Sequence, residues 1–127
     1  MLLVVDRGRG PSGLRGVIAA GRGTFLDELI DTVGGVNAYD GPPLPYPQLS
    51  LEGIAGMNPD IIVEIAPELD RTAAAHAVRD WAAVPGLEAV RAGRVHCLTG
   101  THVAVPGPRF ILLLEELASL CTLKVTE

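Results

Sequence analysis

The stretch YPQLSLEGIAGMNPDIIVEI, Tyr46 to Ile65, decides how the chain is read. Ser50 stands where a helix N-cap belongs, with a hydroxyl that can accept from a backbone N–H of the first turn. Leu51, Ile54 and Ala55 recur at helical spacing and give that helix one apolar face. Asn58-Pro59 stops it, because the residue before a proline avoids the helical region. Ile61 to Ile65 then reads as an apolar strand of the kind covered on both faces. A short helix that runs straight into a buried strand is a unit of α/β architecture. The same stretch raises the role of Glu52. A carboxylate in the first turn stabilises the helix dipole by about 0.3–1 kcal/mol at an exposed site. A partner contact would instead need an arginine, whose fork of donors matches a carboxylate.

Working outward, the pattern repeats. Leu2 to Val5 is a continuous apolar run that predicts a strand. Arg7 to Arg22 is rich in glycine and reads mostly as loop, with a short strand inside it at Gly16 to Ala20. Thr24 caps a helix whose Phe25, Leu26, Leu29, Ile30 and Val33 fall on one face, and Gly34-Gly35 end it. Asn37 to Pro47 is a proline-rich, turn-rich loop. Asp70 to Trp81 predicts an alanine-rich helix, Val84 to Gly93 a shorter helical turn, and Val95 to Leu98 a strand. Pro108 to Leu120 predicts a last helix. Phe110, Leu113, Leu114, Leu117, Ala118 and Cys121 form its buried stripe, with Glu115 and Glu116 outside it. Apolar strands alternating with helices predict an α/β fold: a three-layer, mostly parallel sheet with helices on both faces.

The bulk properties agree with this and exclude several classes. The chain has 127 residues, 48% hydrophobic and 20% charged, which suits one globular domain. Its net charge of -5, without a basic run, argues against nucleic acid and against a polybasic membrane patch. The apolar runs Met1 to Val5 and Phe110 to Leu114 are too short to span a bilayer. The start, MLLVVDRGRG, has none of the parts of a signal peptide, so no export address is read from it. Cys97 and Cys121 match no close metal spacing and read as small buried hydrophobes, with their pairing left open.

Chemistry-bearing patterns are thin. Gly8, Gly10 and Gly13 spell G-x-G-x-x-G after the first strand, but Pro11 interrupts it and no helix opens at Gly13. AGRGTF lacks the Gly-Lys-Ser/Thr ending of a phosphate loop, so turn geometry explains these glycines better. His76 reads as a surface residue, His96 as a strand residue and His102 as a loop residue, and no spacing completes a metal site with them. Ser12, Ser50 and Ser119 lack the context of a nucleophile elbow. Asp27, Glu28 and Asp31 share one helix and read as a solvated face. Nothing here demands an enzyme, a cofactor or a metal.

Four segments in fixed order carry a resemblance: GTFLDELIDTVGGVNAYDG, YPQLSLEGIAGMNPDIIVEI, VPGLEAVRAGRVHCLTG and VPGPRFILLLEELASL. Together they resemble the C-terminal lobe of substrate-binding proteins of ABC importers for cobalamin, ferric siderophores and haem. The resemblance covers the chain from about Leu2 to Leu120. It implies a Rossmann-like lobe, residues 1–127 as one domain, with the N-terminal lobe and the long linking helix absent. It implies a small-molecule ligand (a ferric siderophore, corrinoid or haem) held between lobes. It also implies an ABC permease as partner, met by the glutamate of the pattern P-Q-x-S-x-E. That pattern is Pro47, Gln48, Ser50 and Glu52 here. Tyr46, just before it, takes the place of an aromatic cleft wall. Thr101, His102 and Val103 are cleft candidates from the loop after the Val95 strand, and Arg109 is a candidate for an anionic ligand. The resemblance also counts the segment between Asn37 and Tyr46 among the cleft candidates. The parent would be periplasmic or anchored outside the membrane. An isolated lobe would expose surface that its missing half covers, which predicts a homodimer. The competing readings are a dimeric structural or regulatory lobe without transport, and a stand-alone nucleotide-binding enzyme.

Overall fold

The computed structural model describes residues 1–8, 15–84, 86–99 and 115–119. Five strands form one sheet: β1 (Leu2–Gly8), β2 (Arg15–Ala19), β3 (Gln48–Leu49), β4 (Ile62–Ile65) and β5 (Val95–Leu98), in the order β3-β2-β1-β4-β5. The helices are α1 (Phe25–Thr32), α2 (Leu51–Met57), α3 (Arg71–Asp80) and α4 (Glu88–Arg91). A 3-10 turn at Trp81–Ala83 follows α3, and residues 115–119 are helical. This is the expected α/β class. The predicted last helix is described only over those five positions, and Phe110, Leu113, Leu114 and Cys121 lie outside the described residues. Leu117 is fully buried, as its place on the stripe predicts.

The sheet is mixed. β1, β4 and β5 run parallel, while β2 is antiparallel to β1 and β3 to β2. Chain length explains the difference. The segment between β1 and β2 is too short for the crossover that parallel neighbours need, so the two strands pair antiparallel. The helices supply crossovers for the rest. One feature departs from the sequence reading: β1 runs on through Arg7 into the segment expected to be loop. Its pairing with β2 shifts register between Val4 and Asp6 and again between Asp6 and Gly8.

Two cores sandwich the sheet. On one face Leu3, Val63 and Ile65 pack with Leu29 and Ile30 of α1 and with Leu117. On the other, Leu2, Val4 and Ile62 pack with Ile54 of α2, Trp81, Val84, Leu87 and Ala89 of α4. The alternation of Leu2, Leu3 and Val4 between the two cores is the period of a strand buried on both sides. Every residue of β4 is buried, including Glu64.

Capping holds the helices in register. Thr24 Oγ1 accepts from the Asp27 N–H at 3.0 Å, and Asp70 Oδ1 from the Ala73 N–H at 2.8 Å. α1 ends in a Schellman motif: the Gly35 N–H reaches the Ile30 carbonyl and the Gly34 N–H the Asp31 carbonyl, with Gly34 at φ 84°. The glycine pair therefore stops α1 where the sequence places its end.

Candidate ligand and partner site

The elements around Glu52 are built from the stretch that opens the sequence reading. Ser50 Oγ accepts from the Gly53 N–H at 2.9 Å and starts α2. Ile54 is fully buried against the sheet, and Leu51 and Ala55 are half-buried beside it. This fixes the rotation of α2 and leaves Glu52 exposed in its first turn. The far end is held as firmly. Asn58 adopts the left-handed conformation (φ 45°, ψ 61°), and its N–H reaches the Ile54 carbonyl at 3.0 Å. Its side-chain Oδ1 accepts from the Glu88 N–H at 2.9 Å, which joins the end of α2 to the start of α4. Asparagine tolerates this backbone better than most residues, so Asn58 stops the helix as well as preceding Pro59.

Tyr46 is 55% exposed, and its position is set by backbone contacts on both sides. The Ala19 N–H reaches the Pro47 carbonyl at 3.1 Å, the Gly21 N–H the Pro45 carbonyl at 2.7 Å, and the Arg22 N–H the Leu44 carbonyl at 3.1 Å. Gly21 is what allows the approach, since a Cβ there would lie 2.0 Å from the Leu44 carbonyl oxygen. Behind this segment Tyr39 is buried, with its hydroxyl donating to the Pro42 carbonyl. Leu44 (50%) and Phe25 (37%) are the other large apolar side chains exposed here. The Leu44 backbone joins Arg22, three residues before Phe25. From the sequence, Leu44 is a ligand candidate only as part of the segment from Asn37 to Tyr46, and Phe25 is read as a core residue of α1. Leu44 sits in a turn-rich loop with no periodicity, and Phe25 shares the helical spacing of the α1 core residues. The structure leaves Phe25 at the margin of that core.

The remaining ligand candidates are not brought to Tyr46 by any described element. Thr101, His102, Val103 and Arg109 lie outside the described residues. β5, which ends at Leu98, is one edge of the sheet, and Tyr46 precedes β3 at the other edge. Four strand spacings separate those edges, roughly 19 Å. His96 is half-buried in β5, and burial holds its imidazole below the usual histidine range. His76 is exposed on α3.

Two polar arrangements went unread in the sequence. Beside α1, Asn37 Nδ2 donates to Asp27 Oδ1 at 3.0 Å and to the Ala20 carbonyl at 3.1 Å. The Gly23 N–H donates to Asp27 Oδ2 at 3.1 Å. These bonds, with Arg22 nearby, hold the Asp27 carboxyl below its usual range against a smaller effect of burial. A hollow of about 270 Å³ opens here, with Asp27, Glu28, Asp31 and Asn37 in its lining. The second arrangement is buried. Arg7 Nε donates to Glu64 Oε2 at 2.9 Å and Arg7 Nη2 to Asp80 Oδ2 at 3.0 Å, while Trp81 Nε1 donates to Glu64 Oε1 at 3.2 Å. Burial opposes the Arg7 charge, but the bonds and charges of Glu64 and Asp80 outweigh it and raise its pKa. Strict alternation would put Asp6, not Arg7, on the face of Leu2 and Val4. The register shift after Val4 reverses this and turns Arg7 toward Trp81.

The described fold is an α/β lobe built on an open five-stranded sheet. Residues 3–100 match the periplasmic binding protein family, and the chain belongs to that family. It is 34% identical over 104 residues to the cobalamin-binding protein of Halobacterium salinarum, covering 79% of this chain and 28% of that protein. Its fold matches the crystal structure of the periplasmic vitamin B12 binding protein of Vibrio cholerae with a TM-score of 0.74. The identity there is 23%, over 98% of this chain and 45% of the other. A periplasmic haem binding protein from Pseudomonas aeruginosa matches with a TM-score of 0.70 at 26% identity, over 93% and 40%. The chain thus spans less than half the length of each of these proteins.

Proposed function

We propose that this chain serves as one lobe of the solute receptor of an ABC importer for a corrinoid or an iron complex, acting outside the cytoplasmic membrane and meeting its permease through Glu52. The observation that carries the reading is the form of α2. Ser50 caps it, Ile54 anchors it and Asn58 locks its far end, so an exposed carboxylate is presented on a rigid element. A capping role alone would not need the second anchor. A rigid carboxylate suits an arginine on a permease, because the fork geometry rewards fixed placement. Family membership supports the solute-binding part of the reading, and the exposed Tyr46, Leu44 and Phe25 supply apolar area for a large ligand.

The test is Glu52→Ala, with binding to the cognate permease measured in nanodiscs. An about tenfold weaker association is expected for loss of one charge-assisted pair, with the melting temperature lowered by no more than a few degrees, as loss of the helix-dipole stabilisation allows. Unchanged association would overturn the docking role.

A further inference from the structure

We infer that Asn58 is a positioning residue for Glu52: by joining α2 to α4 it holds the docking carboxylate in place from the opposite end of its helix. The inference rests on the reading of Glu52 as the permease contact and adds what fixes its placement.

The need arises in α2 itself. It has seven residues, and a helix of that length is not stable alone in water. Gly53 and Gly56 weaken it further, because glycine loses more backbone freedom in a helix than other residues do. Gly56 is not demanded by space, since a Cβ there would meet nothing within 4 Å. Ile54 is the residue that α2 buries outright. Ser50 holds the first turn through the Gly53 N–H. With these contacts alone the helix would be free to rock about Ile54 and carry Glu52 with it.

The base is supplied by α4. Leu87 and Ala89 are buried in the same core as Trp81. The Arg94 N–H reaches the Ala89 carbonyl at 2.8 Å, and the Arg94 carbonyl accepts from the Ile62 N–H at 3.0 Å, so the chain around α4 is bonded to β4. Yet α4 has no cap of its own. Leu87 stands at its N-cap and offers no side-chain acceptor. Asn58, 30 residues earlier, fills that place: its Oδ1 accepts from the Glu88 N–H at 2.9 Å. Its own N–H closes the last turn of α2 on the Ile54 carbonyl at 3.0 Å. One residue therefore ends the helix that carries Glu52 and caps the helix that is fixed to the sheet. Its left-handed backbone (φ 45°) is one that asparagine and glycine adopt most readily.

Asn58 acts on Glu52 through the helix and not beside it. About 9 Å of helix axis separates the two, and side chains on a helix lean toward its N-terminus, so the Glu52 carboxylate points away from Asn58.

The experiment measures association with the cognate permease in nanodiscs for the unchanged chain, Glu52→Ala, Asn58→Gly and the double variant. Asn58→Gly keeps the left-handed backbone and removes the amide. It should weaken association about threefold, and in the free chain it should quicken hydrogen exchange of the Ile54 and Asn58 amides several-fold. In the Glu52→Ala background the same substitution should add nothing, because no carboxylate is left to place. Asn58→Asp keeps an acceptor for the Glu88 N–H and should restore most of the association. If Asn58→Gly weakens association by the same factor with or without Glu52, Asn58 meets the permease itself or supports the lobe as a whole, and the positioning role falls while docking by Glu52 stands. The positioning role also falls if Asn58→Gly leaves association unchanged, or if Asn58→Asp restores none of it. If Glu52→Ala has no effect, or the unchanged chain does not associate, the docking reading falls and the inference with it.

Discussion

The two faces of the sheet are stabilised by different means. Beneath α1 the face is dry in its side chains: Leu3, Val63, Ile30 and Leu117 pack together, and the charge described with them is the backbone ammonium of Met1, which donates to the Val36 carbonyl and pairs with Asp60. Beneath α2, α4 and Trp81 the face begins the same way with Leu2, Val4 and Ile62, but its far end holds Arg7, Glu64 and the indole N–H of Trp81. The dry face tolerates any side chain of suitable volume. The polar face works only if each donor finds its acceptor, because burial of an unpaired charge is far more costly than a lost contact. A sheet of this kind separates bulk stability on one side from orientation on the other.

Breaking the polar face should give the largest effect. Arg7→Met leaves Glu64 buried with only its remaining bonds, and a loss of about 3–5 kcal/mol is expected in urea unfolding. The double variant Arg7→Met with Glu64→Leu removes both charges and should recover most of that loss. If the double variant is as unstable as the single, the face depends on the ion pair itself and not merely on avoiding an orphan charge. On the dry face, Ile30→Ala should cost about 2–4 kcal/mol, the cavity term included, and no second substitution among charged groups should alter it. Equal and additive behaviour on both faces would erase the distinction.

Gly21→Ala sharpens the comparison at a third place, where backbone and not side chain sets the fit. The new methyl would meet the Leu44 carbonyl and the Pro47 ring, so the Tyr46 segment must shift. About 1–3 kcal/mol of destabilisation is expected, together with changed Tyr46 fluorescence anisotropy in a variant with Tyr39 replaced by Phe. A neutral Gly21→Ala would show that this segment is loosely held.

These effects also mark what sequence makes legible. The dry face was readable because its residues follow strand and helix periods: Leu29 and Ile30 on α1, Ile61 and Val63 around β4, Leu117 on the last stripe. The start and stop of α2 were readable because Ser50 and Asn58-Pro59 act locally. Arg7 was not. Arg7 in a glycine-rich run has the composition of a loop, and its inward direction depends on a register shift that only pairing with β2 creates. Glu64 was passed over inside an apolar run for the same reason: its partners come from positions 57 and 17 residues away in the chain. The segment around Tyr46 is half legible. The resemblance marked Tyr46, but Leu44 and Arg22 join it through backbone bonds that no periodicity reveals.

The smallest expected effect concerns His96, which pairs with Val63 across the strands that both cores share. Burial disfavours its charged form, so its folded pKa lies below the usual value near 6.5. The unfolded chain then binds the proton more readily than the folded one. Stability is complete above the unfolded pKa and is lost as pH falls through the window between that value and the lowered folded one. Melting temperature should thus decline modestly, by about 2 °C or less, between pH 7.5 and pH 5.5. His96→Gln should flatten the decline. A decline that persists undiminished in the variant would place the acid-sensitive group elsewhere and leave β5 as indifferent to charge as the dry face.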